Sequence, residues 1–236
     1  MNSLIKAPLL SFALIVSILS ADAQTNTTTS SPSSVISAAV PNGITRVACV
    51  GDSITAGAGS KNPYPAQLQG MLGDKWLVKN FGVSGRTLLK KGDHSYWIEK
   101  AFQNAKDFQP NVVIIMLGTN DTKPQNWAHH DEFYADYKEL VETFKNLDSK
   151  PKIFLVRPTP VFSPGNYGIN EKNLDVEIPI INQIATEEQA GIIDFHVALN
   201  TKPKLEPDHV HPNADGDTIM AQTAADALTG KTVTPP

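Results

Sequence analysis

From Ile44 onward, apolar positions fall into two alternating patterns. Short runs rich in β-branched and aromatic residues occur at 45–50 (TRVACV), 76–80 (WLVKN), 111–117 (NVVIIML), 152–157 (KIFLVR) and 192–195 (IIDF). Between them lie longer segments whose apolar residues recur at steps of three and four. The clearest is 131–147, where Phe133, Tyr137, Leu140, Val141, Phe144 and Leu147 share one helical face. Similar segments cover about 64–73, 95–107, 174–190 and 213–228. The run NVVIIML has no polar alternation, which suits a strand covered on both faces by crossover helices. Regular alternation of strand and helix predicts a parallel sheet between two helical layers. The expected fold is therefore α/β: a three-layer α/β/α sandwich around a central, mainly parallel five-stranded sheet. Right-handed crossovers would gather the strand C-termini along one edge, where ligand sites form in such sheets. No repeat or linker interrupts 41–230, so one domain is expected there.

The ends of the chain read differently. Residues 1–6 carry one positive charge, and 7–19 are apolar, fewer than the roughly 20 needed to span a bilayer. Ala21-Asp22-Ala23 then offers a small-x-small pattern suited to signal peptidase. Residues 1–23 are read as a signal peptide, with Gln24 the first mature residue, and the protein as secreted or periplasmic without a stable membrane anchor. Residues 24–40 are Thr/Ser-rich and form an expected flexible lead-in, and 231–236 an expected tail.

Composition narrows the classes of function. The chain is 41% hydrophobic and 19% charged, which supports a packed core without further bracing. A net charge of -4 with no basic cluster gives no footprint for nucleic acid. The single cysteine, Cys49, rules out an internal disulfide and paired thiolate ligands. His129-His130-Asp131, with His94, is the only arrangement reminiscent of a metal site, and the adjacent histidines open an amphipathic helix that faces solvent. No metal and no cofactor are expected, and no motif marks out a carboxylate pair for glycoside cleavage.

The polar residues cluster where the topology would gather them. After the first strand comes Gly51-Asp52-Ser53; after the second, Asn80-Phe81-Gly82-Val83-Ser84-Gly85-Arg86-Thr87; after the third, Gly118-Thr119-Asn120-Asp121; and before the last helix, Asp208-His209-Val210-His211-Pro212. A serine hydroxyl needs an adjacent base to become a nucleophile. Ser53 can present its Oγ from a tight strand-to-helix turn, although serine is also favoured there simply as a helix N-cap. Asp208, three residues before His211, can orient its imidazole and stabilise the imidazolium that forms when Ser53 gives up its proton. His209 competes for the role of base, and spacing alone does not exclude it. Donors for a developing oxyanion are available from the Ser53 N–H, the Gly85 N–H and the Asn120 amide, each with an ordinary structural alternative as a turn or capping residue.

Taken in order, GDSIT, NFGVSGRT, GTND and DHVHPN resemble the four marker blocks of the SGNH hydrolases, the superfamily that includes the GDSL-type esterases and lipases. The markers fall on Ser53, Gly85, Asn120 and His211, with Asp208 completing a triad. The resemblance implies a flavodoxin-like three-layer fold and metal-free ester hydrolysis through an acyl-enzyme. Chains carrying GVSGRT and GTNDTKPQNW look like exported carbohydrate or sialic-acid O-acetylesterases. The motif is not the G-x-S-x-G elbow, because Thr55 stands at the second glycine position.

Substrate is harder to read. Tyr96, Trp97 and Trp127 are candidate substrate-binding aromatics, and Tyr167 lies in another loop, SPGNYG. The alternative is that Trp97 and Trp127 begin helices and pack inward. No long apolar lid is present, which favours a small acyl group, acetyl, on a carbohydrate or other small ester. The competing readings are a lysophospholipase or thioesterase with a longer acyl pocket, and a non-catalytic carbohydrate-binding protein on the same fold. The sequence gives no oligomeric state.

Overall fold

The computed structural model describes residues 43–163 and 165–230. The expected signal peptide at 1–23, lead-in at 24–40 and tail at 231–236 lie outside the described residues. Five strands, β1 (Thr45–Gly51), β2 (Trp76–Gly82), β3 (Val112–Met116), β4 (Lys152–Arg157) and β5 (Gly191–Asp194), form one sheet. Their order is β2-β1-β3-β4-β5, and every neighbouring pair is parallel. The chain crosses over β1 to reach β3, so the order reverses between these two strands. In open α/β sheets that reversal leaves a crevice at the strand C-termini.

Among the described residues, eight α-helices connect and cover the strands: α1 (Ser53–Ala56), α2 (Tyr64–Leu72), α3 (Lys100–Asp107), α4 (Pro124–Trp127), α5 (Phe133–Lys145), α6 (Glu171–Glu187), α7 (Phe195–Leu199) and α8 (Ala214–Thr229). The two-residue period of the strands divides the core into two. Ala48, Val50, Val113, Ile115, Ile153 and Leu155 pack with side chains of α3, α5 and α6. Val47, Cys49, Val112, Ile114, Met116, Phe154, Val156 and Ile193 pack with α2, α7 and α8. Every residue of β3 is buried, as its unbroken apolar run requires. Tyr137, Leu140 and Phe144 of α5 are fully buried at the helical spacing, each such side chain contributing roughly 1.5–3 kcal/mol of transfer free energy.

Two boundaries differ from the sequence expectation. The segment 95–107 is not one helix: a 3₁₀ turn at Tyr96–Ile98 is separated from α3 by Glu99 in an extended conformation. Tyr96 N–H donates to Thr87 O at 3.0 Å, and the buried Tyr96 hydroxyl donates to Phe81 O at 2.7 Å. These long-range bonds fix the turn against the loop after β2 and override local helical spacing. The helix expected at 174–190 begins earlier, at Glu171, because the Asn170 side chain caps it by accepting from Asn173 N.

Candidate active site

The edge where β1 and β3 end is built on a close approach. Gly51, the last residue of β1, lies opposite both Gly82 and Met116. A Cβ on Gly51 would come within 2.1 Å of Thr55 Oγ1 and 2.8 Å of Met116 O, so no larger residue fits before the turn. The next residue, Asp52, is the N-cap of α1 and accepts from Ile54 N at 3.0 Å. Ser53 is therefore not the cap. It is the first helical residue, which leaves its N–H without an intrahelical acceptor and its hydroxyl free for other work.

The Ser53 hydroxyl meets His211 Nε2 at 2.9 Å, and His211 Nδ1 meets Asp208 Oδ2 at 2.7 Å. An ionised carboxylate only accepts, so the proton lies on Nδ1, and in the neutral ring Nε2 then accepts from Ser53. Asp208 also accepts from the backbone N–H groups of His211 (2.7 Å) and Val210 (3.1 Å) through Oδ1. Burial pushes the Asp208 carboxyl upward, but the bonds from His211 outweigh it and hold the group below its ordinary value. His209, the competing histidine, adopts a left-handed backbone (φ 69°) and reaches neighbouring segments through its main chain, donating to Glu206 O and accepting from Phe162 N.

Gly85 lies in the loop after β2 with φ 80°, a conformation that favours glycine, and an added Cβ there would meet nothing within 4 Å. Asn120 follows β3 and is 2% exposed. Its amide donates to Arg86 O at 3.1 Å and, over 3.3 Å, to Asp52 Oδ2, so an oxyanion would compete with the longer of these bonds. Ser53, Gly85, Asn120 and His211 line one cavity of about 290 Å³, together with Ala58, Ser84, Lys123, Tyr167 and Ile169. The geometry brings a hydroxyl, an imidazole and the carboxylate bonded to that imidazole together beside this cavity.

Residues 49–219 match the GDSL-like lipase/acylhydrolase family. The chain belongs to that family. Over 206 residues it is 42% identical to an acetylxylan esterase from Xylanibacter ruminicola, an alignment covering 78% of this chain and 43% of the relative. The chain thus spans under half the length of that relative. An acetylxylan esterase variant from Geobacillus stearothermophilus superposes with TM-score 0.60 at 25% identity, covering 81% of this chain and 97% of the other. A carbohydrate acetylesterase family member from Sinorhizobium meliloti gives TM-score 0.62 at 22% identity, covering 77% and 96%.

Within this member of the family the aromatics singled out from the sequence do not line the cavity. Tyr96 is fully buried. Trp97 packs against the same core, its Nε1–H donating to Leu88 O at 2.8 Å. Trp127 ends α4 and stacks on His130 with ring centroids 4.7 Å apart. None of the three lines the cavity, because each ring is engaged by its own local neighbours. Tyr167 does line it, 68% exposed, with its ring edge-on to His211 at 6.2 Å.

Buried carboxylates behind the cavity were not read as functional from the sequence. Burial raises Asp52 to about 6, although Ile54 N–H and the charges of His211 and Lys123 oppose it. Burial likewise raises Asp121 to about 7 and lifts Glu177, which has no hydrogen-bond partner among the described residues, well above its ordinary value. For Asp52 and Asp121 the signal was present in GDS and GTND, where an acid lies in the turn after an apolar strand; Glu177, inside α6, carried none. The histidines of 129–130 and His94 do not converge. Among the described residues, Glu171, Asp175 and His196 do, with ligand atoms within 4.8 Å of one another. His196 Nε2 and Glu171 Oε1 already bond each other at 2.6 Å. No helix of the described residues is long and apolar enough to cross a membrane.

Proposed function

We propose that this chain is a secreted serine esterase that removes small acyl groups, acetyl foremost, from carbohydrate. The observation that carries the reading is the continuous relay from Ser53 Oγ through His211 to Asp208, with contacts of 2.9 and 2.7 Å. In this mechanism His211 Nε2 accepts the hydroxyl proton as Ser53 Oγ attacks the ester carbonyl. Asp208 holds the ring orientation and stabilises the imidazolium. The carbonyl oxygen gathers charge against the N–H groups of Ser53 and Gly85 and the Asn120 amide, which exchanges its long contact with Asp52 for the stronger charge-assisted bond. Collapse expels the alcohol, protonated by His211, and leaves Ser53 acylated. Water activated by the same histidine repeats the sequence and releases the acid.

Support for a small acyl group comes from the cavity, about 290 Å³ in volume, and from the similarity to an acetylxylan esterase. Secretion rests on the signal-peptide pattern of residues 1–23. The test is hydrolysis by the mature chain of nitrophenyl esters from acetyl to dodecanoyl, with Ser53→Ala as the blank, followed by acetate release from acetylated xylan. Rates that peak at acetyl and vanish in the blank support the proposal. A maximum at long chains, to which each buried CH₂ contributes roughly 0.8 kcal/mol, would replace it with the lipase-like reading. Activity no higher than the blank at every length and on xylan would favour a binding protein.

A further inference from the structure

Asp52 offers more than a helix cap requires. Capping α1 takes one side-chain oxygen, the one that accepts from Ile54 N at 3.0 Å, and a serine, threonine or asparagine supplies such an oxygen equally well. A carboxylate brings a second oxygen at the cost of burying an ionisable group, and Asp52 is fully buried. That second oxygen accepts from the Asn120 amide over 3.3 Å. One side chain thus fixes both the turn that carries the Ser53 N–H and the side chain of Asn120.

The carboxylate itself has little freedom. Asp52 O accepts from Ala56 N at 2.9 Å. Gly82, which closes β2, packs so near that an added Cβ would lie 2.9 Å from that carbonyl and 2.4 Å from Ala56 N. Ser53 and Asn120 line the cavity and Asp52 does not, so its influence on an ester passes through them. The Asn120 amide has two N–H groups, and Arg86 O, at 3.1 Å, and Asp52 account for both. The Asp52 bond is the longer of the two, beyond the roughly 2.7–2.9 Å of a strong charge-assisted bond. It is short enough to aim the N–H and weak enough to release it to an oxyanion.

We infer that Asp52 is a positioning residue for ester hydrolysis, holding the Asn120 amide against the Ser53 turn until the oxyanion takes over its N–H. The inference rests on the esterase reading and adds to it a residue that does not itself touch the ester. The work of the second oxygen is separable from that of the first. In Asp52→Ser the hydroxyl keeps the cap, and a single short oxygen no longer serves Asn120 as well. In Asp52→Asn the side-chain oxygen keeps the cap, while its NH₂ faces the Asn120 NH₂, a donor against a donor.

The test is a double-mutant cycle on nitrophenyl acetate with Asp52→Ser, Asn120→Ala and the two combined, each checked for folding by its melting curve. Asn120→Ala should lose about 10²–10³ in kcat/KM, the cost of one oxyanion donor. Asp52→Ser should lose about 10–10², the cost of misplacing a group, through kcat with KM little changed. Because Asp52 acts through Asn120, the combined variant should be within about twofold of Asn120→Ala alone. A combined loss equal to the product of the two single losses overturns the inference and leaves the esterase intact. So does a wild-type kcat in Asp52→Ser, or a wild-type rate in Asn120→Ala. Should Asp52→Ser not fold, the isosteric Asp52→Asn takes its place in the cycle with the same expectations. Failure of the wild type to hydrolyse nitrophenyl acetate or acetylated xylan overturns the esterase reading and this inference with it.

Discussion

The carboxylate of Asp121 accepts the backbone N–H of Leu89 at 2.7 Å, and its second oxygen accepts from Leu88 N at 2.9 Å. One acid at the end of β3 thereby pins the loop after β2, the loop that carries Gly85. Asn120, its neighbour, grips the same loop at Arg86 O. Asp121 acts as a positioning residue for the proposed oxyanion donors. In Asp121→Asn one of the two N–H groups would face an NH₂ donor instead of an acceptor. An unsatisfied buried donor costs about 1–3 kcal/mol, so the melting temperature should fall. kcat on nitrophenyl acetate should fall with it, because Gly85 N–H loses its fixed position. A variant that melts earlier yet keeps wild-type kcat would show that the loop is held by other means.

Buried acids also set the pH response of stability. Burial raises Asp52 to about 6, Asp121 to about 7 and Glu206 to about 9, the last with help from the charges of Glu171 and Asp208. A carboxyl whose folded value is raised keeps its proton in the native state where the unfolded chain has already lost it. The native state then binds more protons, and stability falls as pH rises from about 4 toward 9. Asp208 runs the other way: its lowered value contributes stability that is lost on acidification. Urea unfolding should therefore give a higher midpoint at pH 5 than at pH 8. Glu206→Gln, which mimics the protonated acid, should flatten the upper part of that slope. An unchanged slope in Glu206→Gln would remove Glu206 from the account.

The extent to which the sequence announced this arrangement follows from physics. Strands such as VVIIM and the α5 repeat were legible because burial on both faces, or on one helical stripe, leaves an unmistakable period. The polar clusters after the strands were legible because the topology sends them to one edge. Helices of four or five residues, α1, α4 and α7, carry too few positions for a period to show. Whether Tyr96 enters the core depends on Phe81 O and Phe102, contacts that local spacing does not encode. The same holds for Tyr167, whose loop is tied to Thr122 by asparagine bonds between segments about 50 residues apart.

The orientation of His211 by Asp208 leads to a third prediction. In Asp208→Asn the side-chain oxygen can still accept from the His211 and Val210 N–H groups, so the turn should survive. The new NH₂ would then face Nδ1 and donate to it, driving the ring proton to Nε2. That tautomer donates toward Ser53 and cannot take its proton. Loss of the corresponding acid in a serine triad costs about 10⁴ in kcat, and a fall of about 10²–10⁴ is expected here for nitrophenyl acetate, with a modest fall in melting temperature from the lost ionic contact to His211. A fall under tenfold would mean that Asp208 serves the turn and not the proton transfer.

Two glycines of the site should respond in opposite ways to one added methyl group. Gly51 has no room, since its Cβ would meet the side chain of Thr55 and the carbonyl of Met116 inside van der Waals contact. Neither can retreat, because Thr55 is buried in α1 and Met116 closes β3. Gly51→Ala should therefore destabilise the whole sheet edge and reduce soluble yield. Gly85 has room but a positive φ, which costs an alanine roughly 1–2 kcal/mol. Gly85→Ala should fold, melt a few degrees earlier and lose most of its kcat/KM, because the strained N–H no longer aims where the oxyanion forms. Melting curves and esterase rates for the pair separate the two effects. Wild-type rates in a folded Gly85→Ala would exclude its N–H from oxyanion binding and leave Ser53 N–H and Asn120 as the donors.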